Sequence, residues 1–149
     1  MKKGILLIVF VVSALCSYGQ ARVGGGLSYG TEIEEMGLNL TGEFFLKDKV
    51  ALTPEINYFF TDNNITFWTF NADVHYYFNK SSQASFYGLA GLNFASISNN
   101  NNSNTELGLN LGAGVNFELN KSFTPFAQIK LVTGDADQGV FSFGLRFDI

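Results

Sequence analysis

His75 is the single histidine of this 149-residue chain, and Asp73 stands two residues before it. A histidine-based relay would have to be built on this pair. On an extended chain, side chains at i and i+2 share a face automatically, so the pairing alone carries no information about chemistry. The segment Asp73-Val74-His75-Tyr76 offers no serine at a spacing that would complete a nucleophile, base and acid relay, and the chain reads as a non-enzyme. Asp135-Ala136-Asp137 presents two carboxylates without the further, regularly spaced oxygen ligands of a calcium loop, and reads as a solvated turn. The glycines of Gly24-Gly25-Gly26 and Gly112-Ala113-Gly114 lie inside alternating segments, not between a strand and a helix, which excludes a phosphate cradle. No cofactor and no metal-ligand set is predicted.

The other charges that stand out are Arg22, Lys130 and Arg146, with Glu43, Glu55, Asp73 and Glu118. Together with His75 they all fall on the polar parity of segments whose opposite parity is apolar. Two readings follow. One is an internal network of ion pairs and hydrogen bonds, which groups held away from water require because an isolated buried charge is so costly. The other is a path for ions or protons. Neutralising Arg146 destabilises the protein under the first reading and changes conductance at unchanged stability under the second.

The elements that hold these residues are strands. Phe141, Phe143, Leu145, Phe147 and Ile149 alternate with Ser142, Gly144, Arg146 and Asp148, the period of two that marks an extended segment with one apolar face. The same alternation predicts eight strands: Arg22 to Gly30, Met36 to Phe45, Val50 to Phe60, Ile65 to Phe78, Ala84 to Ile97, Thr105 to Leu119, Phe123 to Thr133 and Val140 to Ile149. The sixth keeps its register longest, from Leu107 to Leu119 against Glu106 to Glu118. Facing is least defined in the fifth, where Tyr87 and Leu89 oppose Phe86, Ala90, Leu92 and Phe94. Pro54 cannot donate to a ladder, so a bulge or a missing partner is expected there. Ser98 to Asn104, all serine and asparagine, is expected to be a solvated loop.

Composition narrows the setting. Charged residues make up 15% of the chain and aromatic residues another 15%, against roughly 25% charged in an average soluble domain. Lys2-Lys3 followed by the apolar run Ile5 to Leu15, with Ser17 and Gly19 at the positions a signal peptidase reads, predicts a signal peptide over residues 1–19 and a single domain over 20–149. The run is too short for a spanning helix, which takes roughly 20 apolar residues. Cys16, preceded by the large Leu15, is expected to leave with the signal. What remains carries no cysteine, seven Lys and Arg and thirteen Asp and Glu; nucleic acid is excluded as a partner on charge.

Each predicted strand reaches the roughly 9 to 11 residues that cross a bilayer's hydrocarbon when tilted, and strands can span lipid only as a closed barrel. Connections after the second, fourth and sixth strands are short and carry Lys47, Lys49, Lys80 and Lys121; those after the odd strands carry Glu32, Glu34, Glu35, Asp62, Asp135 and Asp137. The first group is assigned to the periplasm and the second to the outside. The fold class is therefore all-β, an eight-stranded antiparallel up-and-down transmembrane barrel.

From Arg22 to Ile149 the chain resembles the small outer-membrane barrels of the OmpA and OmpX type. Val140, Ser142, Gly144, Phe147 and Ile149 are similar to the C-terminal sorting motif read by the barrel-assembly machinery, with Ile149 where an aromatic residue is usual. The resemblance implies the bacterial outer membrane, with outer-membrane lipid and lipopolysaccharide as surroundings and the assembly machinery as a partner during biogenesis; the oligomeric state is open, with a monomer expected. It implies no single activity. The expected role is structural, in envelope integrity without an open pore. Two alternatives are a surface interaction protein acting through its outer loops, and a soluble lipocalin-like carrier with the same alternation turned inside out.

Overall fold

A computed structural model of the chain describes residues 19–62, 65–81, 83–119, 122–134 and 137–149. The leader assigned to residues 1–19 lies outside them except for Gly19, as do Lys121 and Asp135. The eight strands are β1 (Ala21–Gly30), β2 (Glu35–Lys47), β3 (Val50–Phe59), β4 (Thr66–Lys80), β5 (Ala84–Asn99), β6 (Asn102–Phe117), β7 (Thr124–Gly134) and β8 (Gln138–Asp148). Each pairs antiparallel with its neighbours in sequence, and β1 pairs with β8 from Arg22↔Asp148 to Gly30↔Val140, closing the barrel.

Alternation decides the two faces. Leu40, Leu111 and Phe143 point outward and are 63%, 64% and 52% exposed, as are their neighbours on the same parity. Water is no solvent for so continuous an apolar belt. The opposite parity points into the lumen, where Glu43, Glu55, Asp73, His75, Lys130 and Arg146 are buried. The lipocalin arrangement, with the apolar set inside, is thereby overturned. In β5 it is Phe86, Ala90, Leu92 and Phe94 that face out, while Tyr87 and Leu89 fill the interior.

Pro54 pairs with Ala72 of β4, but on its other side the ladder passes from Thr41↔Glu55 to Phe44↔Leu52, leaving Thr53 and Pro54 without β2 partners. That is the missing partner its absent N–H requires. Phe44, on the same parity as the outward Leu38 and Leu40, is only 6% exposed. Its ring is drawn over Gly42, where an added Cβ would lie 3.0 Å from it.

Ser98 to Asn104 is not a loop. The β5–β6 ladder continues through Ser98↔Ser103 to Asn99↔Asn102, so only Asn100 and Asn101 turn the chain. The segment is solvated, as composition requires, but composition says nothing about backbone pairing, and a hairpin satisfies its amides as well as water does.

Candidate functional site

The lumen places the predicted charged residues in three linked groups. In the first, Lys130 Nζ lies 2.8 Å from Glu55 Oε1 and 2.7 Å from Asp73 Oδ2. Around it run amides: Asn57 and Asn71 donate to Glu55, Asn110 donates to Asp73 Oδ1 at 2.7 Å and to Asn71 at 2.9 Å, and Asn93 donates to Asn71 at 2.7 Å. Ser28, bonded to Ser142 across the closing seam at 2.7 Å, donates to Asn57 and extends the network to β8.

The second group is centred on Glu43. Arg146 Nη1 lies 3.6 Å from its Oε1, His75 Nδ1 lies 3.3 Å away, and the Tyr77 hydroxyl donates to the same oxygen. Arg146 also donates to Asn116 Oδ1 at 2.6 Å and to the Tyr87 hydroxyl at 3.3 Å, and its guanidinium sits 4.2 Å from the Phe126 ring centroid. Tyr87 donates to Gln128, which donates to Glu55, so the two groups are one network.

The third group is at the rim. Arg22, half-buried, meets Asp148 at 2.7 Å, Glu118 at 3.3 Å and Glu43 at 3.6 Å. All eight predicted interior residues are thus joined, with Asp148 added. Sequence reasoning missed Tyr77, Tyr87 and the role of the asparagines. The asparagines were legible as inward positions; a repeated amide on the polar parity of successive strands is the signal that would have joined them to the charges.

His75 is held inside the network by Glu43 and Tyr87. It is buried, stacked on Tyr87 with centroids 4.3 Å apart, and neither ring nitrogen is hydrogen-bonded to a serine hydroxyl. Of the sorting residues, Val140 and Ser142 point inward, Gly144 sits opposite Gly26 across the β1–β8 seam, and Phe147 and Ile149 face out.

Apolar clusters flank the first two groups of the network at each end. At the end that carries the connections following odd strands, Phe59 and Phe67 stack at 5.3 Å and pack with Ala95, Val132 and Val140, with Ile33 and Ile97 above them. At the other, Tyr77 packs with Phe45, Tyr87 and Leu89, and Lys80 Nζ lies 4.4 Å from the Phe45 ring.

A closed eight-stranded barrel with an apolar exterior and a filled polar interior is the geometry of a small membrane-spanning barrel. The family described as outer membrane protein beta-barrel domain matches the sequence over residues 6–147. The chain belongs to that family. As an outer-membrane barrel it resides in the bacterial outer membrane, its apolar belt against lipid. Among solved structures it is similar to the N-terminal β-barrel domain of Pseudomonas aeruginosa OprF, at 18% identity and a TM-score of 0.74, covering 87% of this chain and 97% of that one. The attachment invasion locus protein Ail of Yersinia pestis matches at 18% identity and a TM-score of 0.63, over 88% and 99%. The outer membrane enzyme PagL matches at 15% identity and a TM-score of 0.50, over 86% and 98%. Identities this low carry the barrel fold alone. No curated protein sequence matches the chain.

Proposed function

We propose that this outer-membrane barrel is a structural, non-conducting component of the envelope, without catalytic activity. The observation that carries the reading is the lumen: a hydrogen-bonded ionic network from Ser28 to Asp148, closed at one end by Phe59, Phe67, Val132 and Val140. Apolar side chains packed across a narrow lumen exclude the water an ion would travel in. Lipid and lipopolysaccharide are the natural neighbours of the belt, and a monomer needs no further surface. The assembly machinery would read β8 through Val140, Ser142, Gly144, Phe147 and Ile149, after removal of a leader over residues 1–19. In planar bilayers the purified chain is expected to give no stable conductance steps, and cells lacking it to become more permeable to bulky detergents. Reproducible single-channel steps from the folded protein would overturn the reading.

One feature favours a second reading, interaction at the cell surface. Among the described residues, Asn102 to Leu107 of β6 pair only with β5, the β7 ladder beginning at Gly108↔Gly134. The β5–β6 hairpin therefore stands above its β7 neighbour with a free edge, which an extended partner segment could extend. Replacing Ser98 to Asn104 by a tight turn separates the readings: surface attachment is lost if the hairpin binds, and nothing but the hairpin is lost if the barrel is structural.

A further inference from the structure

Above the apolar cap lies a cleft of about 410 Å³, built from three connections of the same barrel end. Its apolar lining is Ile33, Ile65, Phe67 and Ile97, and its rim carries Glu32, Glu35, Asp62 and Asp137. Among the described residues no basic side chain lines it and none of the four carboxylates is in an ion pair. Hydrogen bonds brace the described parts of its walls. Thr31 N donates to Gly139 O at 2.8 Å and Gly139 N to Thr31 Oγ1 at 2.9 Å, tying the β1–β2 turn to β8. Asp137 accepts from Gly134 N at 2.7 Å, and Thr61 donates to Ile65 O across the β3–β4 connection.

We infer that this cleft binds a small organic cation with an apolar body, an alkyl- or arylammonium, its hydrocarbon on Ile33, Ile65, Phe67 and Ile97 and its charge among the carboxylates. Its size and apolar floor are those of a small-molecule pocket, and the charge of the carboxylates selects the sign. An inorganic ion fits less well, because among the described residues no group of acidic side chains converges closely enough to hold a metal. Independently of the rim, Gln138 lines the cleft at 7% exposure with an Oε1 that has no hydrogen-bond partner. A buried amide oxygen left in that state is costly, and a turn of the amide offers it to an ammonium N–H in the cleft.

The test uses the full chain folded in zwitterionic nanodiscs with labelled isoleucine methyl groups, titrated with phenylbutylammonium, phenylbutanol or phenylbutyrate. The expected result is saturable shifts of the Ile33, Ile65 and Ile97 methyls with phenylbutylammonium, weaker by roughly tenfold or more with the alcohol and absent with the carboxylate. Glu35→Gln with Asp62→Asn should bring the cation down to the alcohol's affinity, whereas Ile65→Ser should weaken both. A heat-modifiability gel confirms that each variant is folded. Equal binding of cation and alcohol, shifts that also move the lipid-facing Ile56 and Ile129 methyls, or competition by calcium at equal strength would each overturn the inference.

Discussion

Arg146 is the residue on which the lumen depends most. It sits among Glu43, Asn116, Tyr87 and the Phe126 ring and is 1% exposed. Arg146→Met leaves the buried Glu43 carboxylate with only the Arg22 guanidinium at 3.6 Å and His75 beside it, and breaking a buried pair from one side costs about 3–5 kcal/mol. Reversible urea unfolding in a bilayer should show a loss of that order. Conductance that rises while stability stays at the wild-type value would instead favour an ion path. Lys130→Met is expected to cost a similar amount, since Glu55 and Asp73 lose their shared cation, and adding Glu55→Gln to it should restore part of the loss because one of the two stranded charges is gone. At this scale the sequence was readable where charge made parity conspicuous. It was silent on Tyr77 and Tyr87, because aromatic residues stand on both parities of β4 and β5 and only the closed barrel shows which ring reaches Glu43.

Strand positions were legible almost throughout, because burial against lipid on one side and a polar lumen on the other leaves a period of two that register cannot escape. What alternation could not give was where pairing stops. Ser98 to Asn104 continues a ladder with no apolar residue in it, and among the described residues Asn102 to Leu107 run past the β7 ladder, which begins at Gly108↔Gly134. Nor could it show how closely the seam is drawn. At Gly26↔Gly144 the chains approach so closely that a Cβ on Gly144 would lie 2.2 Å from Gly25 O and 2.7 Å from Gly26 Cα. Only a residue without a side chain fits such an approach. Gly144→Val should therefore lower the fraction of chain that closes, read as loss of the folded band in unheated samples, while Ser142→Ala, which removes one hydroxyl pair, should cost only about 0.5–1.5 kcal/mol.

The molecule as a whole is a barrel whose outside is solvated by lipid and whose inside solvates itself. Leu111, exposed near the middle of β6 and opposite Leu131, tests the outside. Leu111→Arg should destabilise the barrel by about 2–4 kcal/mol in a bilayer if this position lies near the midplane, whereas on a water-facing surface the change would be nearly neutral. The most direct measurement of the central claim is membrane fractionation followed by gel electrophoresis with and without boiling. A closed transmembrane barrel predicts that the protein sediments with the outer membrane and that its unboiled form migrates differently from the boiled one. Identical migration of both forms, recovered from the soluble fraction, would contradict it.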